Sequence, residues 1–168
     1  MEFITKSDHD FVASTDQKYY GVHGDRWEYI SRVIEIIQSL GIEGSVLELG
    51  AHELPICKRS DVIDIVPHPH VKYVFDATVT PWNVPDDYDL FIGLQVWEHL
   101  GDKQKEAFQE VKRVAKSAIL SFPYMWNCPG DIHHGIDEDK ISEWTLHTKP
   151  TMKELVGARY IYVYHPLR

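Results

Sequence analysis

Four short apolar segments that end in or contain acidic residues constrain the fold of this chain most strongly. They read SVLELG, DVIDIV, VKYVFDA and YDLFIGLQVWEH, and they lie between residues 45 and 99. Runs that are largely apolar and rich in β-branched or aromatic side chains are typical of strands buried on both faces of a sheet. Each segment therefore predicts a buried strand with a polar group at or near its end.

The same pattern extends along the chain and alternates with helical periodicity. Strands are predicted at 45–49, 61–65, 71–75, 88–92, 118–122 and 159–164. One-sided apolar stripes predict helices at 25–40 and 102–116, and a short helix is expected at 137–144. A helix that links two buried strands implies a right-handed parallel crossover. We therefore expect an α/β fold, a three-layer Rossmann-like, doubly wound and mostly parallel sheet.

Size and charge limit the organisation and the partners. The 168 residues predict one domain, with 1–24 as a lead-in or lid and 123–150 as a long excursion. No apolar stretch approaches the roughly 20 residues of a membrane span, and no secretion signal is recognisable, so a cytoplasmic protein is expected. A net charge of -9 disfavours nucleic acid as a partner and favours a small-molecule or carrier-borne substrate.

The polar residues at the strand ends are the candidates for a ligand site. In open parallel sheets, ligands bind beyond the carboxyl ends of the strands, near the point where the strand order reverses. The first predicted strand ends in Glu48-Leu49-Gly50, the second contains Asp64, and the third ends in Asp76-Ala77. The fourth runs into Gly93-Leu94-Gln95-Val96-Trp97-Glu98-His99. All four are expected to meet at one rim.

These residues, and above all the tract QVWEHLGDKQKEAFQEVKRVAKSAILSFPY, resemble the class I S-adenosylmethionine-dependent methyltransferase family over roughly residues 25–125. The resemblance implies that S-adenosylmethionine is the cofactor and S-adenosylhomocysteine the product. It implies that the cofactor-binding residues are Glu48, Gly50, Asp64, Asp76, Ala77, Gly93 and Gln95.

The resemblance also implies individual roles. Gly50 would let the backbone approach the cofactor, and Asp64 would accept hydrogen bonds from the two ribose hydroxyls. Asp76 would accept from the adenine amino group. Glu48 and the Gly93 carbonyl would face the methionine ammonium. Carboxylates suit these partners because they accept several hydrogen bonds at once.

Two departures from the family predict an abbreviated fold. The first strand is followed by Gly50-Ala51-His52-Glu53-Leu54-Pro55 instead of a glycine-rich turn. Only about ten residues precede the second strand, near or below the dozen that a helical crossover needs, so a short turn is expected there. After residue 150 we expect a short helix and the strand Arg159 to Tyr164, without the family's terminal hairpin.

Histidines are the candidate catalytic bases for methyl transfer to a hydroxyl, because their unperturbed pKa lies near neutrality. His134 ranks first, followed by His133 and His99; the first two lie in the excursion that is expected to cover the acceptor. The stretch from Tyr19 to Arg26 is a candidate lid, in which Arg26 would meet the methionine carboxylate.

Three alternatives remain beside the favoured enzyme. Asp131, His133, His134 and Asp137, with Glu98 or His99, offer metal ligands, but their spacing matches no specific pattern, and no metal is expected. A non-catalytic binding or scaffolding domain fits the missing glycines. A nicotinamide-dependent oxidoreductase is disfavoured because G-x-G-x-x-G is absent.

Overall fold

The computed structural model describes residues 1–15 and 26–167, in which one seven-stranded sheet lies between two helical layers. The helices are α1 (Lys6–Thr15), α2 (Arg26–Ser39), α3 (Gln104–Val114) and α4 (Glu138–Trp144). The strands are β1 (Val46–Leu49), β2 (Asp61–Asp64), β3 (Tyr73–Val74), β4 (Leu90–Leu94), β5 (Ala118–Pro123), β6 (Met152–Val156) and β7 (Arg159–Tyr164). None of the described helices is long and apolar enough to cross a membrane.

The strand order is β3-β2-β1-β4-β5-β7-β6, and the first five strands in this order are parallel. The order reverses between β1 and β4, where Leu49 pairs with Gly93. Strand β7 runs antiparallel to β5 and to β6. The predicted strands and the mostly parallel, doubly wound sheet are thereby confirmed.

Side chains of alternate strand residues build the two cores. On one face, α2 packs its apolar stripe, which includes Val33 and Ile37, against Val46, Leu90 and Ile119. On the opposite face, α3 and α4 pack against Leu47, Phe91 and Leu120. The helices predicted at 25–40, 102–116 and 137–144 are present, with bounds within a few residues of those expected.

The crossovers among β1, β2, β3 and β4 contain no helix in residues 50–60, 65–72 and 75–89, which the structure describes in full. The N-terminal segment covers part of this region instead. The amide of Ile4 donates to the Ile56 carbonyl at 3.0 Å, and the amide of Lys58 donates to the Glu2 carbonyl at 3.0 Å. Ile4, Ile56 and Cys57 thereby join the core under α2. The expected short first crossover is confirmed.

Helix α1 was not expected from the sequence. Its apolar stripe is weak, and it begins with a reciprocal cap instead. The amide of Thr5 donates to Asp8 Oδ2 at 2.7 Å, while the amide of Asp8 donates to Thr5 Oγ1 at 3.2 Å. Such a capping box satisfies the free amides of a first helical turn.

The expected strand from Arg159 to Tyr164 is confirmed as β7, whereas the expectation of a short helix and no terminal hairpin was wrong. Residues 151–167 form no helix; β6 and β7 form an antiparallel hairpin that turns at Gly157, where φ is 58°. Along β6, intermediate and exposed residues alternate, as in an edge strand with one face packed. Its Lys, Glu and Leu residues suit a helix as well as an edge strand, so pairing with β7 decides the structure. The abbreviation of the fold therefore lies in its crossover helices, with all seven strands present.

A comparison of two glycines tests how closely the chain is packed at the switch point, the place between β1 and β4 where the strand order reverses. Gly50 has a φ of 65°, and a Cβ there would lie 2.7 Å from Val96 Cγ2. Gly41 has a φ of 63° in open space. Gly41→Ala should lower the free energy of unfolding by about 1–2 kcal/mol, because alanine is disfavoured in the left-handed conformation. Gly50→Ala should cost about 1–3 kcal/mol more through overpacking. Urea unfolding measures both variants.

The double variant Gly50→Ala/Val96→Ala is the control, because it removes Val96 Cγ2, the atom nearest to the new methyl group, and leaves only Cβ at 3.2 Å. Relative to Val96→Ala alone, adding Gly50→Ala should therefore cost less than Gly50→Ala costs in the wild type and should approach the cost of Gly41→Ala. Equal losses for the two single glycine variants would show that Val96 moves aside without penalty.

Candidate functional site

The point where the strand order reverses opens into a cleft at the carboxyl ends of β1 and β4. Its lining includes Arg26, Tyr29, Glu48, Gly50 and Leu94. Glu48 and Gly50 come from β1 and the turn that follows it, while Arg26 and Tyr29 come from the first turn of α2. The expected position of a ligand site in such a sheet therefore coincides with a cleft of mixed charge.

Glycines permit close packing at this position. Gly50 lies directly against Val96, and its amide donates to the Ile63 carbonyl at 2.9 Å. A Cβ on Gly93 would lie 3.1 Å from the ring of Phe91. Gln95 does not direct its side chain freely toward the cleft, because its Nε2 donates to Ser121 Oγ at 3.1 Å.

Glu48 holds the turn after β1 in place. Its two carboxylate oxygens accept hydrogen bonds from the amides of Ile56 and Cys57, each at 2.8 Å. The side chain is buried, and this burial raises its pKa to about 7 against the effect of the two amides. Glu48 thus stabilises the helix-free crossover while it lines the cleft; its role toward a methionine ammonium stays a prediction.

Asp64 and Asp76 lie at the ends of neighbouring strands, as predicted. The amide of Phe75 donates to the Asp64 carbonyl at 3.1 Å, which joins the two ends. Asp64 is buried, and its carboxylate accepts from the amides of Val66 at 2.9 Å and His52 at 3.3 Å. These two bonds leave further lone pairs for a ligand, since a carboxylate has about four acceptor positions.

Asp76 is exposed, and its Oδ1 accepts from the amide and the hydroxyl of Thr78 at 2.9 and 2.8 Å. These bonds lower the pKa of Asp76. The neighbouring Ala77 is buried, and its carbonyl accepts from Trp82 Nε1 at 3.0 Å. Both residues keep their predicted place at the rim, and their contacts to a cofactor stay predictions.

Two features of this rim were missed from the sequence. Apolar side chains are exposed beside the two aspartates: Ile65 and Val79 at 65% each, and Val66 at 50%. The rings of His52, His68 and His70 form a row with spacings of 5.5 and 5.6 Å, and the amide of His52 contacts Asp64. The exposed apolar residues follow closely after the predicted strand-end acids in the sequence. This proximity was the signal from which an apolar rim could have been predicted.

A second group of polar residues surrounds a short 3-10 helix, Trp97–Leu100, that follows β4. Glu98 on this helix is buried, and burial raises its pKa to about 7. The positive charges of His133, Arg159 and Arg26 oppose that shift. Both carboxylate oxygens of Glu98 are buried and form no hydrogen bond with any other residue in the described part of the chain; only the backbone of Glu98 itself acts with these charges to lower the pKa.

His133 reaches this carboxylate from the excursion. Its Nε2 lies 3.8 Å from Glu98 Oε1, and its Nδ1 is bonded to Asp131 Oδ1. The backbone amide of His133 also donates to Asp131 Oδ1, at 2.8 Å. The ring stacks on Trp126 at 5.6 Å and meets the edge of His99 at 5.2 Å. Partial burial lowers the pKa of His99.

Of the three predicted bases, the structure brings His99 and His133 together beside Glu98. His134 is exposed, and its Nδ1 accepts from the Cys128 amide at 3.1 Å. Asp137 caps α4 by accepting from the Lys140 amide. The predicted lid from Tyr19 through Asp25 lies outside the described residues.

Arg159 is a buried cation that sequence reasoning missed. Its guanidinium lies 4.8 Å from the ring centre of Tyr29 and 5.8 Å from that of Trp126. It therefore joins the cleft wall to the excursion. The only signal in the sequence was a charged residue at the start of an otherwise apolar strand.

Solved structures with this architecture are known. The chain matches an S-adenosylmethionine-dependent methyltransferase from Clostridium acetobutylicum ATCC 824 with a TM-score of 0.65 and 12% identity, covering 92% of this chain and 97% of that chain. It matches a methyltransferase from Aquifex aeolicus with a TM-score of 0.54 and 14% identity, covering 77% and 86%. The N-terminal domain of EvdMO1, solved in the presence of S-adenosylhomocysteine and D-fucose, matches with a TM-score of 0.51 and 11% identity over 80% of each chain.

No protein-family model matches the chain, and no curated protein matches it in sequence. The structural similarity nevertheless defines the class of fold, which is Rossmann-like α/β. More particularly, the fold is that of the class I S-adenosylmethionine-dependent methyltransferases, as the sequence resemblance implied.

The raised pKa of Glu48 predicts a pH dependence of stability. Between about pH 4.5 and 7 the folded protein retains a proton that the unfolded chain has released, so the free energy of unfolding falls as pH rises. In Glu48→Gln this contribution is absent. The stability difference, wild type minus variant, should therefore decrease across that range in urea unfolding.

Glu53→Gln, in an exposed position on the same turn, is the matched control for the loss of one acid. A difference profile for Glu48→Gln that does not change with pH would contradict the stated effect of burial.

Proposed function

We propose that the protein transfers a methyl group from S-adenosylmethionine to a hydroxyl of a small molecule, a sugar or natural-product scaffold. The observation that carries the proposal is the position of Asp64. It lies at the carboxyl end of β2, beside exposed apolar side chains and next to the cleft at the reversal of strand order. That position suits recognition of a nucleoside, which combines vicinal hydroxyls with an apolar base.

The cleft offers complementary groups for the remainder of the cofactor. Asp64 would accept from the ribose hydroxyls and Asp76 from the adenine amino group, with Ile65, Val66 and Val79 available to contact the base. At the other end, Arg26 would bind the methionine carboxylate. Glu48 and the Gly93 carbonyl would face the ammonium group. Both acidic and basic side chains line this end of the cleft, which suits a zwitterionic amino acid.

The excursion would supply the acceptor side. The acceptor oxygen attacks the methyl carbon, the carbon–sulfur bond breaks, and its electron pair remains on sulfur in S-adenosylhomocysteine. We assign His133 as the group that receives the hydroxyl proton. Its Nδ1 is engaged by Asp131, so Nε2 is left to accept a proton. His134 is less suited, because its Nδ1 already accepts from a backbone amide.

A sugar acceptor has separate support from the structure of EvdMO1 solved with D-fucose. Aromatic rings are common partners of apolar ligand faces, and Trp126 lies beside His133. The proposal of a hydroxyl acceptor rests on the presence of a suitable base.

A non-catalytic binding or scaffolding domain with weakened cofactor binding is the second candidate. It is favoured by the side chain of Val96, which covers Gly50, and by the hydrogen bond that holds Gln95 on Ser121. Both contacts restrict the approach of a cofactor to the backbone at the switch point.

Calorimetry separates the two candidates. Wild-type protein should bind S-adenosylmethionine and S-adenosylhomocysteine. Asp64→Ala should weaken binding about 10- to 100-fold, because a hydrogen bond to a charged group contributes about 1.5–3 kcal/mol. Asp102→Ala, whose side chain is 92% exposed, is the control and should bind as wild type does. Absence of heat with both ligands would exclude the enzyme.

The histidine assignment is tested by turnover, measured as S-adenosylhomocysteine formed with a panel of sugar hydroxyl acceptors. His133→Ala should reduce turnover by about 10²–10⁴, the usual contribution of a general base, and should leave S-adenosylhomocysteine affinity unchanged. His134→Ala should have a smaller effect, and the exposed His147→Ala should have none. A larger loss in His134→Ala would return the role to His134.

A further inference from the structure

We propose that Glu98, His99 and His133 form a binding site for a divalent transition-metal cation. One carboxylate oxygen and two imidazole nitrogens of these residues lie within 4.8 Å of one another. The ligands come from two separate parts of the chain, the 3-10 helix after β4 and the excursion, which explains why their sequence spacing gave no metal-binding pattern. Binding of the cation is independent of methyl transfer; only its use there rests on the proposed function.

Glu98 provides the first argument for a ligand at this position. Its buried carboxylate accepts no hydrogen bond from any other described residue, and the ionisable group paired with it, His133 Nε2, is 3.8 Å away, although burial of such a group without close partners is costly. A cation between Glu98 and the two imidazoles would supply the partner that this carboxylate lacks.

The second argument is the orientation of His133. Metal-binding histidines usually donate their other ring N–H to a carboxylate or carbonyl, which fixes the tautomer and aims the free nitrogen at the metal. Asp131 bonds to His133 Nδ1, and Nε2 faces Glu98. Stacking on Trp126 further fixes the plane of the ring. The imidazole is therefore already oriented for ligation before any cation binds.

The ligand set points to a class of cation. Two imidazoles with one carboxylate are ligands of Zn²⁺, Fe²⁺ and related ions, and three protein ligands leave coordination positions open for water or substrate. Mg²⁺ and Ca²⁺ prefer sites made of oxygen ligands. We therefore assign the site to a transition cation with an open coordination position.

In methyl transfer, the open position would take the acceptor hydroxyl. The cation would supply Lewis-acid chemistry there: a coordinated hydroxyl would lose its proton to water more readily, and its oxygen would attack the methyl carbon as the carbon–sulfur bond breaks. With the cation bound, His133 would be a ligand and could not also accept the proton, so the assignment of His133 as the base applies to the protein without the cation.

Titration of the full chain with Co²⁺, followed by visible absorption, and with Zn²⁺, followed by calorimetry, tests the site without any methyl donor. We expect one cation per chain. Glu98→Gln and His133→Ala should each weaken binding at least tenfold. Asp131→Asn should weaken it about 10- to 100-fold through loss of orientation. His147→Ala, an exposed histidine outside the cluster, is the matched control and should bind as wild type does.

Circular dichroism of each variant verifies folding. If His133→Ala does not fold, Asp131→Asn still tests the site, because it changes only an exposed side chain. Absence of binding, equal binding by His133→Ala and wild type, or displacement of Co²⁺ by equimolar Mg²⁺ would overturn the assignment. Binding of S-adenosylhomocysteine without binding of Co²⁺ or Zn²⁺ overturns the metal site alone. Cation binding without S-adenosylhomocysteine binding supports the site and removes the proposed function.

Discussion

Parallel pairing of β1 with β2 on one side and β4 on the other is the constraint on which the rest of the molecule depends. It places the carboxyl ends of these three strands at one rim and opens the cleft where the strand order reverses. Glu48, Asp64 and the segment around Gly93 come together there because backbone hydrogen bonds fix the register. The chemistry of the rim thus follows from the sheet, although its residues are far apart in sequence.

A helix-free crossover would leave the turn after β1 poorly supported, and three interactions compensate. Glu48 binds two amides of the turn, the N-terminal segment pairs with residues 56–58, and Ile4 packs into the core under α2. The same carboxylate that faces the cleft therefore also supports its wall. A change at Glu48 is expected to alter both stability and ligand binding, so activity measurements on such a variant need a stability measurement beside them.

The sequence predicted the parts of the fold that depend on local pattern, because buried strands and one-sided helices have distinct apolar periodicities. It failed at β6, where a pairing partner decides between helix and strand, and at α1, whose cap matters more than its stripe. At the site, strand-end acids such as Asp64 were predictable from topology. The position of Arg159 was not, since a contact between β7 and α2 depends on tertiary packing.

Glu48 and Glu98 show how similar burial can serve different purposes. Burial raises the pKa of both to about 7. Glu48 has two backbone amides as partners, so its burial is explained by the turn it holds. Glu98 has no hydrogen bond among the described residues, and two histidines stand beside it. Because stability alone would favour an apolar residue at that position, the buried carboxyl is the observation that motivates the proposed cation site, for which the neighbouring imidazoles would supply the other ligands.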